Sequence, residues 1–201
     1  VIRRAAIAGA LLLACLAREA RPLAHSLDAG YGRYDGRLGK VDGPWLDYNL
    51  AFGKGSVRHG LQASFSRLPY VNSSSQVRYQ CSFYGVSYAM PLLFRRGGGR
   101  FIVRPGLGLV LGDARQDDLA EHNDTLEMCF GCGDRAASPR MYLCPAVSVE
   151  YGLRLRGGLG LGLGLSGRHL HIIFGSRALD APSAPEFHES YGAFLAANYG
   201  W

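Results

Sequence analysis

From Leu159 to Ser166 the chain reads LGLGLGLS, with a leucine at every odd position through Leu165 and glycine or serine at every even one. A period of two is the mark of a β-strand, whose side chains leave alternately to either face. Similar alternation predicts eight strands, at roughly 27–35, 45–53, 60–70, 76–93, 101–112, 141–156, 159–175 and 189–201. In the second, Leu46, Tyr48, Leu50 and Phe52 alternate with Asp47 and Asn49. In the fifth, Phe101, Val103, Leu107, Leu109 and Leu111 alternate with Arg104, Gly106, Gly108 and Gly112. In the sixth, Val147, Val149, Tyr151, Leu153 and Leu155 alternate with Ser148, Glu150, Gly152 and Arg154. The fourth is less regular: Arg78, Gln80 and Ser82 hold one parity and Tyr84, Val86 and Tyr88 then occupy it, which predicts a bulge near Phe83–Gly85.

The second face is the informative one. A soluble sandwich or lipocalin-like barrel places large residues inside and a polar coat outside. Here the second face carries glycine, serine and isolated charges, too small and too sparse for a soluble surface. It suits the narrow interior of an eight-stranded barrel, where side chains just fill the space. The apolar face then looks into lipid. Closure leaves no free strand edge, so an apolar strand at the end of the chain is paired. The predicted fold is an all-β, eight-stranded antiparallel up-and-down transmembrane barrel over residues 27–201. Asp28, Asp47, Arg78, Arg104, Glu150, Arg154 and Arg168 fall on the inner parity and are expected to form ion pairs there.

The connections carry the same asymmetry. Lys54-Gly55-Ser56, Arg95 to Arg100 and Arg156-Gly157-Gly158 are short, whereas 36–44, 71–75, 113–140 and 176–188 are longer or more polar. Short turns at one end and long loops at the other are a property of bacterial transmembrane barrels. The last segment, SYGAFLAANYGW, alternates up to Trp201. It resembles the C-terminal strand of outer-membrane β-barrel proteins, whose final aromatic is read by the barrel-assembly machinery. That resemblance implies the outer membrane of a Gram-negative bacterium, with lipid and lipopolysaccharide as surroundings and Trp201 as assembly signal.

Composition adds exclusions. Hydrophobic residues make up 48% of the 201 positions, with 28 Gly and 11 Tyr. No run approaches the ~20 apolar residues of a membrane-spanning helix. The net charge is +6, but the arginines are scattered rather than striped, which argues against nucleic-acid binding. Arg3 and Arg4 ahead of AAIAGALLLACLA have the form of a secretory signal, expected over residues 1–26. Cleavage is expected after Ser26, with Ala17 as the second position and an imperfect lipoprotein box at Cys15. Cys81, Cys129, Cys132 and Cys144 then remain, and Cys129 and Cys132 are a possible disulfide. The acidic 113–140 region is read as a solvated loop, with a divalent cation there, or zinc on Cys129, Cys132 and His122, as the alternatives, and no cofactor is implied.

Chemistry is suggested at one place. His169 and His171 continue the outward leucine series of the seventh strand, and Glu189 shares the outward parity of Trp201 in the eighth. Arg168, His171 and Glu189-Ser190-Tyr191 resemble the lipid A 3-O-deacylase family of small outer-membrane barrels. That family carries a His-x-Ser-Asn-Ala type motif late in strand seven and a Glu soon after. The resemblance implies a Ser-His-Glu triad on the outer wall, with Glu189 orienting His171. The position two after His171 is Ile173, so Ser176 is the candidate nucleophile. Two functions follow: a structural or surface-interaction barrel acting through its loops, or an ester hydrolase trimming acyl chains from lipid A.

Overall fold

The computed structural model describes residues 24–36, 39–71, 78–116, 137–174 and 187–200. Ten strand segments follow one another: β1 (Ala24–Gly36), β2 (Gly39–Phe52), β3 (His59–Val71), β4 (Arg78–Ala89), β5 (Leu92–Arg96), β6 (Gly99–Gln116), β7 (Ala137–Arg154), β8 (Leu159–His169), β9 (His171–Phe174) and β10 (Phe187–Tyr199). β5 continues the line of β4 and β9 that of β8, so the segments make eight staves. All pairings are antiparallel, and β1–β10 together with β6–β7 closes the sheet into a barrel.

The alternation decides the faces. Leu161, Leu163 and Leu165 stand outward on β8, with Leu163 62% exposed, while Gly160, Gly162 and Gly164 face in. The inner glycines are seats for other side chains. A Cβ at Gly162 would meet the Glu150 carboxylate, and one at Gly164 would meet the Phe194 ring.

The interior has two layers. Toward the short turns it is polar. Glu150, 0% exposed, accepts from Arg104 and from Asn198 Nδ2 at 2.8 Å. Asp28 accepts from Ser26 and from Asn49 Nδ2 at 2.9 Å, and Arg104 lies 3.5 Å from it. Asp47 accepts from Gln62 at 2.7 Å and from Arg168, whose guanidinium stacks 4.9 Å from the centre of the Trp45 ring. Toward the loops the interior is aromatic. The Phe187 ring is edge-on to Tyr34, Tyr70 and Phe83 at 6.1, 6.1 and 5.6 Å, and Leu68, Tyr142 and Leu170 complete the plug.

Several expectations are corrected. The β4 register runs unbroken through Phe83–Gly85, so there is no bulge there. Tyr79, Cys81 and Phe83 face in with Gly85 and Ser87, while Tyr84, Val86 and Tyr88 face out. Arg78 opens β4 in register with Val71. The reason is the aromatic plug, which makes inner side chains as large as outer ones. The real break is at Met90–Pro91, where Met90 N donates to Pro105 O at 2.9 Å and Arg58 N to Pro91 O at 2.9 Å. Arg154 keeps the inner parity but lies exposed at the mouth. The loop expected over 36–44 is largely strand, because β2 starts at Gly39 and pairs back to Gly36. β1 begins at Ala24, ahead of the predicted start at 27, with Ala24, His25 and Ser26 paired to Ala51, Leu50 and Asn49 of β2.

Candidate functional site

The outer wall near the loop end of β8, β10, β1 and β2 carries a polar band above the leucine rows. Its first member is the pair His169 and Glu189, cross-strand partners on β8 and β10, with Nδ1 and Oε1 3.9 Å apart. Both side chains are more than half exposed, at 54% and 61%. Asp35, opposite Glu189 on β1, lies 3.5 Å from Lys40 Nζ and accepts from Tyr191 Oη at 3.4 Å. Arg33 donates to both oxygens of Asp42, at 2.9 and 3.1 Å.

This placement changes the candidate triad. Glu189 faces His169, not His171. β8 ends at His169, Leu170 turns inward with its N–H donating to His188 O at 2.6 Å, and His171 begins β9 opposite Leu143 of β7. Register decides the partner: Glu189 is level with His169, and the interruption at Leu170 leads His171 away to β7. Ile173 is outward, as its parity predicts. Ser190 is buried and, like Ser166, lies on the inner parity, so neither hydroxyl reaches the outer wall. Ser176 lies outside the described residues, as do Cys129, Cys132, His122 and Trp201. Cys81 and Cys144 are buried free thiols in the aromatic plug. Among the described residues no three His, Cys, Asp or Glu side chains gather as a metal set.

Of the inner charges, Arg104 pairs with Glu150 and stands beside Asp28, and Arg168 pairs with Asp47. Arg100 was missed, although it shares the parity of Arg104; it reads as part of a turn. Two His–Tyr pairs on the outer wall toward the short turns were also missed. His25 Nδ1 and Tyr48 Oη are 2.6 Å apart, and His59 bonds Tyr88 Oη. Rings with one apolar and one polar side suit a membrane–water boundary.

A closed antiparallel barrel with an apolar outer wall and a filled interior is a barrel of the small outer-membrane type. Neisserial surface protein A has this fold: its crystal structure overlaps the chain with a TM-score of 0.59 at 12% identity, over 89% of this chain and 97% of that one. A major outer membrane protein from Thermus thermophilus overlaps with a TM-score of 0.55 at 13% identity, over 89% and 99%. The outer membrane enzyme PagL overlaps with a TM-score of 0.39 at 9% identity, over 86% and 98%, too loosely to carry a reading of chemistry. No protein-family profile matches the chain, and no curated protein does.

Proposed function

We propose that this chain is an outer-membrane barrel that conducts nothing and works through its loop-bearing end, as an anchor and contact surface beside lipopolysaccharide. The observation that carries this reading is the filled interior: the Glu150 network spans the lower lumen and the Phe187 cluster the upper. Eight strands leave room for little else. The polar band of Arg33, Lys40, Asp35 and His169 stands where the sugar and phosphate groups of an outer leaflet would meet the wall. In planar bilayers the folded protein is expected to add no current above the lipid leak. Discrete channel steps that survive repurification would overturn the reading.

A second reading is the ester hydrolase, supported by His169 and Glu189 meeting on the outer wall. A carboxylate that orients an imidazole is half of a serine hydrolase constellation. Its hydroxyl would come from Ser176, with His169 as base. Mass spectra of lipid A incubated with the refolded protein decide it, with His169→Ala, His171→Ala and Ser176→Ala beside wild type. Loss of one acyl chain with wild type alone supports hydrolysis; unchanged lipid A rejects it. Because the His169–Glu189 pair is exposed, His169→Ala is expected to change stability by less than about 1 kcal/mol in urea unfolding.

A further inference from the structure

The short-turn mouth gathers positive charge that its carboxylates do not match. The turns at this end, within 53–58, 95–100 and 154–158, carry lysine and arginine and not one Asp or Glu. Arg58, Arg95, Arg100 and Arg154 share the inner parity there. Arg95 and Arg100 are direct cross-strand partners on β5 and β6. Like charges placed opposite each other on one sheet face repel. Arg100 is also within electrostatic reach of Arg58 and Arg104.

Arg100 is 6% exposed, and its Nε and Nη2 make no hydrogen bond among the described residues. Facing it is Glu150, whose oxygens already accept from Asn198 and Arg104. Arg100 Nη2 stands 3.7 Å from Glu150 Oε1, beyond hydrogen-bond reach. A buried guanidinium with open donors is costly to keep, and a second guanidinium beside it raises the cost. An oxyanion with several acceptor atoms on one centre answers both, because it can accept from more than one planar fork.

We propose that the arginine ring Arg58, Arg95, Arg100 and Arg154 at the short-turn mouth is a binding site for a phosphate group. Free phosphate and the headgroup of an anionic phospholipid at that rim offer the same chemistry. A ligand that binds only the folded state raises its melting point. The test follows the melting midpoint of the full chain, folded in maltoside micelles, by circular dichroism. One arm adds inorganic phosphate against sodium chloride of equal ionic strength. The other adds phosphatidylglycerol against diacylglycerol of the same chain length. A saturable rise in the first arm identifies free phosphate as sufficient; a rise in the second arm alone identifies the headgroup. Either rise is expected to vanish in Arg95→Gln/Arg154→Gln, which changes two exposed side chains and spares the buried network. Arg100→Gln is the second variant and is expected to lose the same shift. No rise in either arm, an equal rise with chloride, or a rise that persists in the double variant overturns the proposal.

Discussion

Glu150→Ala is expected to cost the barrel about 3–5 kcal/mol, the range for removing one partner of a buried charged pair. Glu150 is wholly buried and is the shared acceptor for Arg104 and for Asn198 at 2.8 Å, with Arg100 3.7 Å away. The glycine at 162 exists in this geometry to seat it. Alanine leaves Arg100 with no carboxylate in a space water enters poorly, and takes from Arg104 the shorter of its two carboxylate contacts. Glu150→Gln keeps an acceptor for Asn198 and removes the charge, so its cost is smaller but real. Urea unfolding in lipid vesicles, followed by tryptophan fluorescence, checks both. An unchanged midpoint in Glu150→Ala would mean that the polar layer does not hold the staves together.

The second large effect concerns the other face. Leu163→Arg is expected to destabilise by about 2–4 kcal/mol, and Leu159→Arg by about 0–1 kcal/mol, because an arginine on the lipid face is costly at the bilayer midplane and tolerated near its edge. Both leucines are outward on β8; Leu159 opens the strand at the short turn and Leu163 lies in its middle. The ratio matters more than either value. A barrel exposed to water would accept both arginines equally, and the same unfolding series would show no dependence on depth.

How far the sequence reaches follows from where side-chain size separates the two faces. On β8 the leucines and glycines differ so much that strand, register parity and lipid face are all readable. On β4 the inner Tyr79, Cys81 and Phe83 are as bulky as the outer Tyr84, Val86 and Tyr88, so the contrast vanishes and a bulge is inferred where none exists. Lys40 and Asp42 look like loop residues because they are polar, yet they belong to β2, tied to Asp35 and Arg33 across the hairpin. The outer-wall site was legible as a neighbourhood but not as a pair. Parity brings His169, His171 and Glu189 to one face, whereas the level at which β10 meets β8 depends on the connection between them. The arginine ring stayed hidden because arginines beside glycines read as turn chemistry, and only closure turns Arg95 and Arg100 toward the same mouth.

The claim on which the account rests is that the leucine wall lies in lipid and the inner residues do not. Nuclear Overhauser contacts between acyl-chain methylenes and side-chain methyls, recorded in nanodiscs, test it without a substitution. Leu161, Leu163 and Leu195 are expected to show strong contacts to the acyl chains, and Leu68, Leu93 and Ile102, which are buried inside, none. Contacts reversed between those two sets, or water contacts along the leucine wall, would contradict it.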